Sequence, residues 1–396
     1  MNTPSLYRMQ QTMRWYGPHD TVSLQDLRES GISGIVTALH QIPVGEVWPV
    51  EAIKERQQLV RDAGLEWTVV ESLPVHEDIK RGAPMRDRWI ANYIQSLHNL
   101  AACGIHVVAY NFMPVLDWLR THHLHPNPDG TRTLLYNELA FIYFDVHLLK
   151  RPRARKSYTA HDLELADAYG GQLSAAEKDI LFRNILLGLP GSTEDFTQKQ
   201  VLDLLYAYRG IGDGQLRENL LYFLKAVVPE ATAAGTSLAL HPDDPPFSVM
   251  GLPRVVSTGA DLDYIFDAVP ARANGLCYCT GSLGARASNN LLQILDDHGN
   301  RIHFLHLRNV HRESEYVFRE SEHLKGDNPM EAIVEKILRL MQKRETSLPM
   351  RPDHGFLHTV EEGVKHYAGY SLVGRLKGLA EIRGLETGLA YKISQP

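Results

Sequence analysis

A unit of one helix followed by one apolar strand recurs along this chain, and it restricts the fold more than any other feature of the sequence. A helix predicted over 50–63 stops at Gly64 and leads into an apolar run at 67–71, and a helix over 87–103 stops in the same way at Gly104. This arrangement is typical of the connection between helix and strand in a parallel sheet. The pattern predicts eight strands, at 13–17, 34–39, 67–71, 106–111, 237–241, 275–279, 301–310 and 348–353.

Eight parallel units favour a closed barrel over an open sheet. The predicted fold is therefore α/β, of the (β/α)₈ TIM-barrel class, as a single domain over 1–396. An open doubly wound sheet is disfavoured because the chain has no Gly-x-Gly-x-x-Gly turn, which would indicate a dinucleotide crevice. Because alternate residues of a barrel strand face inward, we expect Cys277 and Cys279 inside the barrel and His303 towards the outer helices.

The regular spacing breaks once, after the fourth strand. The segment 113–235 is longer than a single connection between strand and helix requires. It contains predicted helices near 175–187 and 197–208, and Asp213 is predicted to cap the helix that leads to strand five. We interpret this segment as a mostly helical insertion at the catalytic face, together with that last helix.

The composition excludes several classes of protein. The 396 residues carry a net charge of -6, which argues against binding to nucleic acid. No apolar run approaches the roughly 20 residues of a membrane span, and residues 1–15 lack the apolar core of a signal peptide. With only three cysteines, a disulfide framework is not expected. We predict a cytoplasmic protein with a small-molecule substrate, and the apolar faces of outer helices would also suit a homo-oligomer.

Four predicted strands end in a residue that can bind a metal ion. They are the fifth to the eighth, and their terminal residues are His241, Cys279, His306 and Asp353. Singly, each could be an ordinary core or capping residue. Because the ends of adjacent barrel strands converge on one part of the mouth, we expect the four side chains to meet there. Two imidazoles, a thiolate and a carboxylate suit Zn²⁺, Fe²⁺ or Mn²⁺, and the ligand types alone favour Zn²⁺.

Five motifs carry a closer resemblance. They are Met-Arg-Trp-Tyr-Gly-Pro at 13–18, His-Pro-Asp-Asp-Pro-Pro at 241–246, Leu-Cys-Tyr-Cys-Thr-Gly-Ser-Leu-Gly at 276–284, His-Leu-Arg-Asn at 306–309 and Arg-Pro-Asp-His-Gly at 351–355. In this order they resemble the mannonate dehydratase family over essentially the whole chain. The resemblance implies a barrel related to xylose isomerases and a lyase that converts D-mannonate to 2-keto-3-deoxy-D-gluconate and water in hexuronate (glucuronate) catabolism.

The resemblance also implies a cofactor and roles for particular residues. The cofactor would be Mn²⁺ or Fe²⁺, held by His241, Cys279, His306 and Asp353. His354 and Tyr370 would act in acid and base catalysis. Loss of water from a sugar acid requires removal of the proton on the carbon beside the carboxylate and protonation of a hydroxyl that is a poor leaving group. Both side chains are competent at proton transfer. The sequence does not say which of them acts as acid and which as base.

Further polar residues at the strand ends are candidates for binding the substrate. Arg308 and Arg351 lie two residues from predicted metal ligands and could pair with the substrate carboxylate. The ends of strands one to four carry candidates for binding hydroxyl groups, namely Arg14, Tyr16, His40, Glu71 and Asn111. The alternative for each is a place in the packed layers of the barrel, and Tyr367 competes with Tyr370 for the catalytic role.

A metal-dependent sugar or sugar-acid isomerase or epimerase on the same barrel is the main alternative function. Such sites usually depend on carboxylates and often on a lysine, whereas the strand ends of this chain carry no lysine. A metal-stabilised sugar-binding protein without turnover is disfavoured by the lack of a secretion signal.

Overall fold

Eight parallel strands close a barrel in this computed structural model, which describes residues 6–186 and 197–394. The strands of the described chain are β1 (Gln10–Arg14), β2 (Gly34–Thr37), β3 (Glu66–Glu71), β4 (Val107–Tyr110), β5 (His122–Pro126), β6 (Arg132–Asn137), β7 (Ser237–Leu240), β8 (Asn274–Cys279), β9 (Ile302–His306), β10 (Asn309–Arg312), β11 (Val317–Ser321) and β12 (Pro349–Arg351). Around the barrel the order is β1, β2, β3, β4, β7, β8, β9 and β12, and β12 pairs again with β1. The predicted TIM barrel is confirmed.

Helices surround the barrel and connect its strands. They are α1 (Leu24–Glu29), α2 (Val50–Asp62), α3 (Glu77–Arg81), α4 (Arg86–Ala102), α5 (Glu138–Tyr143), α6 (Ala160–Gly171), α7 (Ala175–Leu186), α8 (Gln198–Ala207), α9 (Asp213–Ala233), α10 (Gly259–Ala268), α11 (Thr280–Gly284), α12 (Leu291–His298), α13 (Met330–Arg344) and α14 (Leu372–Ser394). None of these helices is long and apolar enough to cross a membrane.

Local sequence signals account for the helix ends. Gly64 and Gly104, which follow α2 and α4, have φ angles of 73° and 80°. This left-handed region is open to glycine without a steric penalty, so the chain can leave the helix and enter the next strand. The prediction that Asp213 caps α9 is wrong, because Asp213 is the first helical residue and Gly212 holds the capping position without a side-chain bond.

The barrel interior follows the alternation expected from the sequence. One apolar cluster fills it, formed by Val36, Val69, Ala109, Ala239, Cys277 and Phe304. Cys277 is therefore inside the barrel as predicted, whereas the His303 ring lies 2.8 Å from the carbonyl oxygen of Arg272, which precedes β8. The inward residues at the carboxyl ends of the strands are then free to form a site above this apolar plug.

A second sheet, four-stranded and antiparallel, lies outside the barrel with the order β10, β11, β6 and β5. Half of it comes from the segment 113–235, which holds the hairpin of β5 and β6 as well as helices α5 to α9. The expectation of a mostly helical insertion missed this hairpin. The predicted strand 301–310 was also too long, because β9 ends at His306 and Asn309 already begins β10. No glycine or proline lies between His306 and Asn309, so the sequence does not mark the break.

Candidate metal centre and active site

Three of the predicted metal ligands come together at the mouth of the barrel. The donor atoms of His241, Cys279 and His306 all lie within 4.8 Å of one another. His241 Nε2 and His306 Nδ1 are 3.2 Å apart. His241 Nδ1 lies 2.7 Å from the carbonyl oxygen of Pro242, so a proton on Nδ1 leaves the Nε2 lone pair facing the other two donors.

Asp353, the fourth predicted ligand, lies beside this group. Its Oδ2 atom is 3.8 Å from Cys279 Sγ and 3.8 Å from His306 Nδ1. Asp353 has a φ of 66°, and this turn brings its carboxylate over the barrel. Gly355 follows two residues later, and this position requires glycine because a Cβ there would lie 2.3 Å from the backbone nitrogen of Arg375.

The electrostatics of this cluster favour a metal-binding thiolate. Burial opposes ionisation of Cys279, but Arg308 and hydrogen bonds from His241 and His306 hold the pKa of the thiol well below its ordinary value. Burial likewise opposes protonation of His241, but the neighbouring Cys279 raises the pKa of the imidazole to about 9. A cation can replace the proton between these two groups, since a thiolate and a neutral imidazole are the forms that bind metals. The donor set thus fits a divalent transition-metal ion.

A cavity opens beside the cluster. Its lining includes nine of the residues selected from the sequence, namely Arg14, Glu71, Asn111, His241, Arg308, Arg351, Asp353, His354 and Tyr370. Tyr16 and His40 are not part of the lining. The Tyr16 ring instead packs edge-on against Tyr370, with centroids 5.1 Å apart, and lies 5.8 Å from the His40 ring.

The three arginines that line the cavity differ in their free hydrogen-bond donors. Arg351 donates from Nε and Nη2 to Glu71, each at 2.9 Å, and from Nη1 to Asp353. Arg308 donates from Nε to Asp353 at 2.6 Å and from its other nitrogens to Asp244 and Glu320. Both guanidinium groups are thus bound to carboxylates of the protein.

Arg14 is the exception. Its Nη1 lies 3.2 Å from Glu71, but its Nε and Nη2 atoms are buried and have no partner in the described chain. These two nitrogens form one edge of the guanidinium, with parallel N–H bonds that match the two oxygens of a carboxylate.

Glu71 and Asn111 are already bonded within the protein. The Glu71 carboxylate accepts from Arg351, and its pKa is lowered well below the ordinary value because Arg351, His306 and Arg14 together outweigh its burial. Asn111 Nδ2 donates to Asp117 Oδ2 at 3.2 Å.

His354 and Tyr370 both line the cavity, and their rings are in contact. Their ring centroids are 5.2 Å apart and the rings are nearly perpendicular. Tyr370 is 5% exposed, and burial raises the pKa of its phenol. Tyr367 does not line this cavity, and its ring instead lies 4.4 Å from that of Tyr16. The geometry therefore favours Tyr370 over Tyr367.

Comparison with known proteins gives the family. The sequence model of "D-mannonate dehydratase (UxuA)" matches residues 9–395. A mannonate dehydratase of Marinomonas sp. (strain MWYL1) is 47% identical over 389 residues, which cover 96% of this chain and 99% of that protein. The chain belongs to the D-mannonate dehydratase family.

Solved structures agree with this assignment. The crystal structure of mannonate dehydratase from Streptococcus suis serotype 2 matches with a TM-score of 0.78 and 34% identity, covering 98% of this chain and 95% of that one. A xylose isomerase domain protein from Planctomyces limnophilus matches with a TM-score of 0.52 at 11% identity, covering 98% and 99% of the two chains, and shows the fold alone.

The activity follows from membership in the D-mannonate dehydratase family. The chain is an enzyme, a metal-dependent lyase that dehydrates the small molecule D-mannonate. The alternative of a sugar isomerase or epimerase is not favoured, because the family model, the relative of similar length and the solved dehydratase structure all indicate the lyase.

Several residues around the cavity were not selected from the sequence. They are Ser72, Met113, Asp117, Trp118 and Asp244 in the lining, and Arg120 and Glu320 behind it. Asp244 could have been found, because it lies in the His-Pro-Asp-Asp-Pro-Pro motif that contains His241. Arg120 and Glu320 flank or belong to strands of the second sheet, which the sequence analysis did not predict.

Proposed function

We propose that His241, Cys279, His306 and Asp353 hold the divalent ion of this D-mannonate dehydratase, and that the ion is Mn²⁺ or Fe²⁺. This proposal rests on the proximity of the donor atoms of His241, Cys279 and His306. A fourth donor, the Asp353 carboxylate, lies 3.8 Å from two of them. When bound, such an ion acts as a Lewis acid that stabilises negative charge on the substrate carboxylate and C2 hydroxyl. The restriction to these two metals rests on the family resemblance, since the donor types alone favour Zn²⁺.

Arg14 is proposed to bind the substrate carboxylate. It lines the cavity and presents on one edge two nitrogens that have no partner among the described residues, whereas Arg308 and Arg351 are bound to protein carboxylates. A buried guanidinium with free donors is costly unless a ligand satisfies them. Arg308 and Arg351 then act by holding Asp353 and Glu71 in place.

His354 and Tyr370 are proposed to transfer the protons. Burial keeps the Tyr370 phenol protonated at neutral pH, which is the form that can donate a proton to the departing C3 hydroxyl. His354 then accepts the proton from C2, as imidazole does in many enzymes near neutral pH. The resulting enol carries its hydroxyl on C2 and becomes the 2-keto acid when C3 is protonated. The product is 2-keto-3-deoxy-D-gluconate.

Exchange of the C2 proton separates these two roles. In ²H₂O, the variant Tyr370→Phe should retain bound metal and incorporate deuterium at C2 of recovered D-mannonate, while forming product at least about 100-fold more slowly. The variant His354→Gln should lose both exchange and turnover. Exchange that persists in His354→Gln and disappears in Tyr370→Phe would reverse the assignment. Wild-type turnover in either variant would remove that residue from the chemistry.

The metal ligands are tested by metal content. Asp353→Asn should bind less metal than the wild type after dialysis, because a neutral amide is a weaker ligand than a carboxylate. Asn111→Asp is a matched control. It makes the reverse substitution at another residue of the cavity, and Asn111 lies outside the proposed ligand set. Equal metal in wild type and Asp353→Asn would exclude Asp353 as a ligand. The cytoplasmic location stays a prediction from the sequence, which suits a homo-oligomer but leaves the oligomeric state open.

A further inference from the structure

A buried carboxylate on the second sheet lies directly behind His354. Glu320, on β11, is 4% exposed, and its Oε1 atom is 3.3 Å from His354 Nδ1. The same oxygen accepts hydrogen bonds from Arg120 Nη2 at 2.9 Å and from Arg308 Nη1 at 2.5 Å. Two guanidinium groups therefore hold the carboxylate in one place, from which it reaches the imidazole.

The His354 ring lies between two cavities. One is the active-site cavity. The other is lined by His354 and Glu320 and also by His323, Lys377 and Glu381, which lie just after β11 or on α14. Glu320 lines the second cavity and not the first, so it meets the ring on the side away from the active-site cavity.

The aromatic contacts of the His354 ring do not set its tautomer. Trp118 and Tyr370 meet it at centroid distances of 5.7 Å and 5.2 Å, and neither contact distinguishes one ring nitrogen from the other. Of the two nitrogens, Nδ1 faces Glu320, whereas Nε2 lies 3.8 Å from Asp353 Oδ1 on the side of the metal centre.

We propose that Glu320 is a positioning residue for the dehydration, and that it acts through His354. The carboxylate accepts a hydrogen bond from His354 Nδ1–H, which fixes the tautomer whose lone pair is on Nε2 and holds that lone pair towards the substrate. A carboxylate on the far nitrogen of a catalytic imidazole has this effect in other enzymes, where its loss leaves the fold intact and lowers kcat. The inference rests on the proposed role of His354 as the group that accepts the C2 proton.

A purely structural role for Glu320 makes a different prediction. In that case the carboxylate serves only to neutralise Arg120 and Arg308, and its loss lowers stability and metal content whether or not His354 is present. If Glu320 acts through His354, removing it matters only while the imidazole is there. A double-mutant cycle between the two residues separates the two cases.

The experiment compares Glu320→Gln, His354→Gln and the double variant with the metal-loaded wild type. Glu320→Gln should lower kcat by about 10–100-fold. It should change KM less than about threefold and slow C2 exchange in ²H₂O to the same extent as kcat. The double variant should be no slower than His354→Gln alone. Additive losses in the double variant, or wild-type kcat in Glu320→Gln, would overturn the proposal.

A second variant covers the case in which Glu320→Gln does not fold. Glu320→Asp keeps the charge for Arg120 and Arg308 but draws the oxygen away from His354, so it should melt near the wild-type temperature and still lose kcat. Glu322→Gln, on the same side of the second cavity and in contact with Lys325 and Lys377 instead, is the matched control and should keep wild-type kcat. If Glu320→Asp is fully active, Glu320 does not position His354.

If His354→Gln itself keeps wild-type turnover and exchange, the proposed function of His354 fails and the positioning role fails with it. If His354→Gln is inactive while Glu320→Gln and Glu320→Asp are fully active, only the positioning role fails.

Discussion

Arg14 is the residue whose substitution tests most directly how the substrate is held. The variant Arg14→Met removes Nε and Nη2, the two nitrogens that have no partner in residues 6–186 and 197–394 and are proposed to donate to the substrate carboxylate. Hydrogen bonds to charged groups contribute about 1.5–3 kcal/mol each. Two such bonds amount to about 3–6 kcal/mol, or a factor of about 10²–10⁴ in kcat/KM for D-mannonate. Arg14→Lys keeps a positive charge beside Glu71 but loses the two-nitrogen edge, so its loss should be intermediate.

Steady-state kinetics with D-mannonate at fixed metal concentration measures this loss. Melting temperature and metal content of each variant control for folding, because Arg14 also lies 3.2 Å from Glu71. The reasoning is refuted if Arg14→Met retains kcat/KM within about threefold of the wild type while folded and metal-loaded. Equal values for Arg14→Lys and wild type would show that only the charge matters, and not the paired donors.

Other predictions concern the thiol and a buried histidine. Cys279→Ser should weaken metal binding by at least about 10–100-fold, the range seen for groups that merely orient ligands; full metal after dialysis would exclude the thiolate ligand. Aged enzyme should lose activity through oxidation of Cys279 and recover it with a thiol reductant, and enzyme that never recovers would contradict a reversible stage. Burial, with Arg14 and Arg56, lowers the pKa of His40 from 6.5 to about 3, so below pH 6.5 only the unfolded chain gains this proton. The free energy of unfolding should therefore decrease as the pH is lowered from 6.5 towards 3, and this group contributes at most about 1.4 kcal/mol per pH unit to the decrease. In urea titrations at several pH values, the free energy of unfolding of His40→Gln should depend less steeply on pH than that of the wild type. The same pH dependence in both proteins would contradict a neutral buried His40.

The barrel could be predicted because each of its units carries a local signal. Helices such as α2 and α4 end at a glycine with positive φ, and apolar runs follow at once. The second sheet has no such signal. Strand β5 consists of three histidines, a leucine and a proline, and β11 pairs with β6 from a distant part of the sequence. Pairing between distant polar strands is decided by the tertiary structure and not by the period of the sequence.

The same difference explains which parts of the site could be predicted. Cys279 and His306 are the last residues of barrel strands, and His241 and Asp353 come one and two residues after the ends of two others. The convergence of these four side chains is therefore a consequence of the barrel. Which arginine keeps free donors could not be predicted, because it depends on the carboxylates that each guanidinium meets in three dimensions. Glu320 could not be predicted either, because it reaches His354 from the second sheet.

The central claim is that this chain dehydrates D-mannonate at a metal centre formed by the ends of its barrel strands. The most direct measurement is the formation of 2-keto-3-deoxy-D-gluconate from D-mannonate by protein stripped with a chelator, before and after addition of Mn²⁺ or Fe²⁺ under reductant. The account predicts product only after metal is restored, and far less product when Cys279→Ser protein is treated in the same way. Equal turnover in stripped and restored protein, or no turnover by folded protein with metal bound, would contradict it.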